Sequence, residues 1–494
     1  MISTYKSRLA RLLVISALLL TAGCAVGPNF KKPPAPNIPG YTPAPIPTTS
    51  STSNVPAGEA QQFVEGRDIP GDWWALFHSK PLNDLIERSL KNNPDIKASQ
   101  AALLVARENV LAQRGAYYPS VTASFSGDHS KSSSEVSPVT ATSSLYYSLY
   151  TPQVGVSFVP DVFGLNRRTV ESLKAQEQQA RFALAATHIT LSSNVVAAAI
   201  QEASLRAQID TTRELIEINT NMLHTLRAQF DKGYVGRLDV AAQESQLAQV
   251  TATLPPLLKQ LAQQRDLLAA LSGGFPSDDP AEKFELSSLQ LPQELPVSLP
   301  SQLVEQRPDV RQAEENLHFA NAQIGIARAN RLPSFALTAD VGSMAVIFSH
   351  MFTAGTGFWD LGASATQTIF QGGTLVHRER AARAVYVQTS EQYRSTVLIS
   401  FQNVADTLHA LDQDTEALKA AVASRDAATV TLDLTKRQMQ TGYVSYLALL
   451  SAEQAYQQAL LNLVQAQSNR YADTAALFQS LGGGWWNSTD VPKN

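Results

Sequence analysis

Histidine and cysteine often supply metal ligands and nucleophiles, and in this sequence the histidines do not have the spacing of a known metal site. The eight histidines lie at positions 78, 129, 188, 224, 318, 350, 377 and 409. No two of them have the HxH or HxxxH spacing that would bring two imidazoles to one metal. The stretch Gly355–Asp360 lacks the third glycine of a dinucleotide-binding loop. Walker A and GxSxG motifs do not occur. The sequence therefore predicts no catalytic residue, no cofactor and no metal site, and we do not expect an enzyme.

The single cysteine, Cys24, lies at the end of a segment with the pattern of a signal peptide. Three basic residues in the first eleven positions precede the short apolar run Leu12–Leu20, as in a secretory signal peptide. Small residues then lead to Cys24, which resembles the cleavage box of bacterial lipoproteins, in which the cysteine is lipidated. We expect cleavage after residues 1–23 and lipidation of Cys24. The alternative is an ordinary signal peptide that contains a cysteine.

Composition excludes several classes of protein. The chain has 494 residues and a net charge of −4, without the basic excess of a nucleic-acid-binding protein, so no nucleic acid partner is expected. No uninterrupted apolar run is long enough to suggest a transmembrane helix. Charged residues make up 17% of the chain, which suits long helices with small-residue contacts or a chain partly in lipid.

The chain contains an internal duplication. Four anchors recur in the same order: Pro94-Asp95 and Pro308-Asp309, Pro119-Ser120 and Pro333-Ser334, Gly233–Val235 and Gly442–Val444, and Leu271–Gly274 and Leu481–Gly484. The offset between matching anchors is nearly constant and far too long for a solenoid, so each half is a whole structural unit. The predicted organisation is a signal peptide at 1–23, a lipidated extended linker at 24–70, a first repeat at 71–274, an inter-repeat linker at 275–301, a second repeat at 302–484 and a C-terminal tail at 485–494.

Each repeat contains two stretches in which apolar and polar residues alternate, such as Ser120–Gly127 and Gln153–Phe158 in the first repeat. The alternation predicts β-hairpins at about 119–163 and about 333–370, with one apolar face and one small, polar face. Such hairpins could cross a membrane beside a water-filled lumen. A soluble hairpin packed on helices would alternate in the same way.

Long heptad patterns follow each predicted hairpin. No proline occurs from about Arg167 to Phe230, which predicts a helix about 95 Å long. After predicted turns at about 231–239 and about 440–448, returning helices resume the pattern. The predicted contact positions of the second returning helix begin with Leu447, Leu450, Gln454 and Gln457. One hairpin cannot bury both faces of such helices, so we expect an oligomer in which hairpins close into a cylinder. The predicted fold class is mainly α with a membrane β part.

These features resemble the TolC-like outer-membrane efflux proteins, specifically the lipoprotein branch typified by OprM and NodT. The residues that carry the resemblance are Cys24–Phe30, Asp72–Trp74 with Phe77, the two Pro-Ser junctions and the two Gly-Tyr-Val turns. The resemblance implies a homotrimer in the outer membrane of a Gram-negative bacterium, lipid-anchored and with a large periplasmic part. Each chain would give four strands to a shared twelve-stranded β-barrel and helices to a periplasmic α-barrel. The implied partners are a periplasmic adaptor protein, an inner-membrane pump of the RND or MFS type, and outer-membrane lipid.

The resemblance also suggests roles for the two turns, because relatives close the channel where their returning helices coil inward. The predicted periplasmic gate comprises Arg237, Asp239, Arg437, Tyr446, Leu447 and Ser451. Asp239 is expected to pair with Arg237 or Arg437, and Tyr446 and Leu447 are expected to form an apolar or aromatic constriction. Alternatively, Asp239 is a surface charge, which is favourable near a helix N-terminus. The predicted adaptor contacts are Gly233, Tyr234, Val235, Gly236, Gly442, Tyr443 and Val444.

The predicted function is the outer-membrane channel of a tripartite efflux system that exports drugs or other toxic small molecules. Two alternatives remain. One is a type I protein-secretion channel, which uses the same fold. The other is a periplasmic coiled-coil scaffold lipoprotein without a pore. The lipoprotein-like start favours efflux over protein secretion, and the amphipathic strands argue against the scaffold.

Overall fold

A computed structural model describes residues 25–131, 133, 146–278 and 280–489. The predicted signal peptide and Cys24 lie outside these residues. The α-helices in the described ranges are α1 (Lys80–Asn92), α2 (Pro94–Arg114), α3 (Leu165–Asp231), α4 (Arg237–Leu271), α5 (Pro300–Gln306), α6 (Pro308–Ala329), α7 (Thr374–Gln440) and α8 (Tyr446–Ser480). The strands there are β1 (Gln62–Glu65), β2 (Ser120–Lys131), β3 (Tyr146–Phe158), β4 (Glu294–Val297), β5 (Ser334–Ser343) and β6 (Gly357–Thr366).

The long helices have the same lengths in the two repeats. α3 and α7 each contain 67 residues, and α4 and α8 each contain 35. This equality and the matching order of strands and helices confirm the internal duplication. One window of α3 has a mean hydropathy of 1.5, enough to cross a membrane by length and composition alone. Since 67% of that window is buried within the chain, it packs as a core helix does.

The four long strands form one antiparallel sheet in the order β2-β3-β5-β6. Residues that lie opposite each other on neighbouring strands point to the same face. Two rows across the sheet are entirely apolar: Val121, Val156, Ala339 and Leu361, and then Ala123, Val154, Val341 and Trp359. The row between them is Thr122, Gly155, Asp340 and Asp360. The predicted division into an apolar and a polar face is therefore present, and on the apolar face Trp359 is 75% exposed.

The described chain divides into two compact units, and each unit combines segments of both repeats. The first contains the described residues up to Lys32, Leu103–Gln179 and Ala313–Tyr393, and so includes the four-stranded sheet. The second contains Pro33–Ala102, Ala180–Gln312 and the described residues from Arg394 onward.

Aromatic packing and a short parallel sheet organise the second unit. Trp73 is fully buried and stacks on Phe478 of α8 with 5.2 Å between the ring centroids. β1 pairs in parallel with β4, so the segment predicted as an extended linker is joined by hydrogen bonds to the segment between the repeats. Both linkers are therefore integral to the folded unit.

Candidate functional site

The two turns that join the long helices share one backbone geometry. At the end of α3, the Tyr234 N–H donates to the Gln229 carbonyl at 2.9 Å, and the Gly233 N–H donates to the Phe230 carbonyl at 2.8 Å. This pair of bonds is the Schellman motif, which satisfies carbonyls left free at a helix C-terminus. The turn at Gly442 makes the two equivalent bonds. Both glycines have positive φ angles, +76° and +77°, which only glycine adopts without strain.

The predicted adaptor contacts lie on the surface of these turns. Tyr234 and Tyr443 are 77% and 84% exposed, so both aromatic rings are accessible to a partner. Val235 and Val444, the next residues along the chain, are half-buried. Gly236 is exposed, and the nearest atom to a Cβ added there would be Asp239 Oδ2 at 3.7 Å. The turns therefore present aromatic rings around open glycine backbone.

Asp239 has a local structural role in the first turn. As the third residue of α4, it reaches back so that Oδ2 accepts a hydrogen bond from the Gly236 N–H at 3.1 Å. This contact caps a free N–H at the start of the helix. Among the described residues Asp239 forms no ion pair with Arg237 or Arg437, and both arginines are exposed. The predicted ion pair stays a prediction for an assembled channel.

A buried polar network connects the two helical hairpins near the turns. Tyr446, at the start of α8, is 6% exposed, and its hydroxyl donates to Gln243 Oε1 of α4. Gln243 Nε2 in turn donates to the backbone carbonyl of Asn219 at 2.9 Å and to Asn219 Oδ1 at 3.1 Å. Asn219 Nδ2 donates to the Leu215 carbonyl within α3 at 2.8 Å. The chain of bonds therefore runs from α8 through α4 to α3.

Apolar side chains surround this network. The buried cluster around it draws residues from all four long helices: Leu223, Leu226, Val240, Leu432, Tyr446, Leu449 and Ala452. Burial raises the pKa of Tyr446, and the nearby charges of Glu453 and Asp239 act in the same direction. The hydroxyl is therefore a neutral donor. Because the surroundings are apolar, a donor or acceptor that lost its partner here would remain unsatisfied.

The buried face of α8 near the turn differs from the predicted one. Tyr446 and Leu449 are buried, whereas Leu447 is 49% exposed, so the predicted contact positions nearest the turn are wrong by one residue within the chain. Further along α8 the pattern agrees with the structure, since Tyr471 and Phe478 are fully buried. Near the turn the buried position is Tyr446, whose hydroxyl reaches a hydrogen-bond partner on α4. Tyr446 and Leu447 therefore lie on different faces. Ser451 is exposed beside Leu447, and its hydroxyl donates to the Leu447 carbonyl at 3.1 Å.

Glu453 is a buried acid that sequence reasoning missed. It lies two turns after Tyr446 on α8 and is 5% exposed, and neither carboxylate oxygen has a hydrogen-bond partner among the described residues. Burial raises the pKa of Glu453, and the charge of Lys436 on α7 opposes this shift. The carboxyl group is therefore biased toward its neutral form. No local sequence signal marks it, because Glu is ordinary on an exposed helix face.

Comparison with known proteins agrees with this architecture. The chain matches the family model described as outer membrane efflux protein over residues 85–274 and 299–483. The chain belongs to this family. It is 29% identical over 486 residues to the toluene efflux pump outer membrane protein TtgC of Pseudomonas putida, covering 97% of this chain and 96% of the relative. It is 28% identical over 482 residues to the probable outer membrane lipoprotein SilC of Salmonella typhimurium, covering 96% and 99%.

A solved structure of an outer membrane efflux protein has the same fold. The open state of the Neisseria gonorrhoeae MtrE outer membrane channel superposes with a TM-score of 0.80 at 26% identity, covering 94% of this chain and 100% of that one. The family resemblance, the predicted fold class and the assignment as an efflux channel of the outer membrane are thereby confirmed.

Proposed function

We propose that three copies of this chain form a lipid-anchored channel in the outer membrane. The channel would receive small toxic molecules from an inner-membrane pump of the RND or MFS type through a periplasmic adaptor. The observation that carries the proposal is the exposed apolar face of the four-stranded sheet, on which Leu361 and Trp359 are 73% and 75% exposed. An exposed apolar face of this kind is typical of membrane β-barrels, in which it contacts lipid.

The edges of the sheet support an oligomer. β2 and β6 each pair with one strand within the described chain, and open edges inside a membrane would leave backbone groups without hydrogen bonds. Four strands are too few to close a barrel around a lumen. Twelve strands from three copies would close the barrel and place the polar rows, including Asp340 and Asp360, toward water.

The turns provide the surface proposed for the adaptor. A partner that covers Tyr234 and Tyr443 would bury two large aromatic side chains, which often dominate the binding energy of interfaces. The exposed backbone at Gly236 would let a partner helix or turn approach closely. Tyr446 lies two residues after Val444 of the second turn, so docking on that turn could act directly on the buried network.

The buried network is proposed to hold the channel closed. Tyr446, Gln243 and Asn219 are buried and join helices of both hairpins, so moving α8 away from α4 would break these bonds. We propose that the arrangement has a second, separated state, as a gate requires. Asp239, Arg237, Arg437, Leu447 and Ser451 lie on exposed or half-exposed positions around it, where neighbouring chains could add contacts.

Deletion of the gene followed by a susceptibility panel tests the efflux function. The panel includes organic solvents, antibiotics and metal salts, because the pump and adaptor choose the substrate. We expect increased sensitivity to at least one class and rescue by the wild-type gene. Unchanged sensitivity together with loss of a secreted protein would instead support a type I secretion channel.

A further inference from the structure

The segment that directly follows Cys24, residues 25–32, packs against helices of the first unit. A Cβ added to Gly164 would lie 2.6 Å from the Ala25 Cα, so the two backbones touch. The Val26 N–H donates to the Phe163 carbonyl at 3.1 Å. Both contacts lie between the end of β3 and the start of α3. The beginning of the segment is therefore fixed at a strand-to-helix junction.

The rest of the segment follows one face of α6. Four contacts occur in order: Gly27 against Gly325, the Pro28 carbonyl accepting from Asn321 Nδ2 at 3.0 Å, Phe30 stacked on His318 at 4.3 Å, and Lys32 Nζ 3.7 Å from Glu314. The contacted residues of α6 are separated by steps of four, three and four, so they form one stripe. The segment runs antiparallel to the helix.

The lengths of the two partners match. From Gly27 to Lys32 is 32 − 27 = 5 residues, which span about 16 Å in an extended chain. From Glu314 to Gly325 is 325 − 314 = 11 residues, which rise about 16 Å along a helix. An extended peptide therefore stays in register with the stripe over all four contacts, and a shift by one residue would lose them.

Arg168 of α3 binds the backbone of the segment. Its side chain is 4% exposed, and its Nε donates to the Val26 carbonyl at 3.1 Å. Its Nη2 donates to the Gly27 carbonyl at 3.2 Å and to Asn29 Oδ1 at 2.8 Å. If the segment left the groove, the buried guanidinium would lose three hydrogen-bond acceptors, which would cost free energy. Arg168 therefore favours the bound position of the segment.

Acidic residues orient the ring on which Phe30 stacks. His318 Nε2 lies 3.2 Å from Glu171 Oε1, and His318 Nδ1 lies 3.3 Å from Glu315 Oε2. Glu171 also accepts from Arg168 Nη1 at 2.7 Å. The groove therefore combines backbone hydrogen bonds with a fixed aromatic contact.

We propose that the groove formed by Arg168, His318, Asn321 and Gly325 is an anchor-positioning site. It would hold residues 25–32 in one register, so that acyl chains on Cys24 start beside the junction of β3 and α3 and enter the adjacent membrane leaflet. This inference rests on the proposed lipidation of Cys24. The function of the groove is to fix the height of the lipid anchor relative to the strands.

Limited trypsin digestion of the purified protein tests the groove. The Lys31–Lys32 bond lies within the segment, and mass spectrometry follows the appearance of the new N-terminus at Lys32. We expect cleavage at least tenfold faster in Arg168→Ala/Asn321→Ala and in Phe30→Ala than in the wild type. Phe30→Ala changes only the segment itself, so it keeps the test valid if the double variant fails to fold. Arg328→Ala, which removes an exposed arginine of α6, is the matched control.

Incorporation of radiolabelled palmitate is measured separately on the same variants. Cleavage in Phe30→Ala at the wild-type rate would refute the proposal that the groove holds residues 25–32, whether or not the protein carries palmitate. Absence of palmitate from the wild type would overturn the proposed anchor, and with it the positioning role. Faster cleavage in Phe30→Ala, with palmitate present and with Arg328→Ala like the wild type, supports the proposal.

Discussion

Removing the Tyr446 hydroxyl should shift the channel toward its open state. In Tyr446→Phe the ring keeps its packing, but Gln243 Oε1 loses its donor in a buried, largely apolar cluster. A lost hydrogen bond that leaves a buried acceptor unsatisfied costs about 1–3 kcal/mol. If only the closed state contains the bond, about 1.4 kcal/mol lowers the ratio of closed to open state tenfold per chain. Additive effects in three chains would give up to about a thousandfold.

Single-channel recording in planar lipid bilayers measures this shift as the fraction of time spent closed. Tyr443→Phe is the matched control, because Tyr443 is 84% exposed on the neighbouring turn and its hydroxyl is outside the network. We expect Tyr446→Phe to stay open longer than both the control and the wild type. Equal closed fractions in all three proteins would refute the idea that the buried network closes the channel.

Three further predictions concern the turns and the groove. Asp239→Ala, which removes a helix cap of about 1 kcal/mol, and Leu447→Ala should each raise bilayer conductance; if both conduct like the wild type, these residues are not part of the gate. Gly236→Trp should abolish drug resistance without reducing the amount of protein, because a side chain at this position has room within the chain; normal resistance would contradict adaptor docking there. Hydrogen bonds to Glu171 and Glu315 raise the pKa of His318 from 6.5 to about 9, so its stabilisation should be complete below pH 6.5 and be lost as the pH rises through 9. Trypsin cleavage at Lys31 should accelerate over that range relative to an exposed site elsewhere, and a pH profile unchanged by His318→Gln would show that this histidine does not contribute.

Local sequence patterns predicted the helices, strands and turns, because these elements are determined mainly by residues that are close together in the sequence. The proline-free stretch from about Arg167 to Phe230 predicted α3 within two residues of its ends, Leu165 and Asp231. Alternation located the strands, although β2 and β3 extend beyond the alternating stretches to Lys131 and Tyr146, where inter-strand hydrogen bonds continue without a clear apolar pattern. The Gly-Tyr-Val turns were recognisable because only glycine fits their positive φ angles.

Features that depend on distant partners could not be predicted in the same way. Apolar or aromatic residues occur at 446, 447, 449 and 450, so two rotations of α8 were equally compatible with the sequence. The bond from Tyr446 to Gln243, in the other repeat, selects one of them. Asn219 and Gln243 did carry a signal, since both are polar residues at heptad contact positions. The groove for residues 25–32 could not be predicted, because Gly27 and Gly325 are far apart in sequence and come into contact only in the folded chain.

Reconstitution of the purified, detergent-solubilised protein into planar lipid bilayers tests the central claim most directly, when combined with a measurement of its molecular mass in detergent. A trimer that inserts and conducts ions is the predicted result. A particle that neither inserts nor conducts, whatever its mass, would contradict the assignment of this chain as a membrane channel and would favour a scaffold without a pore.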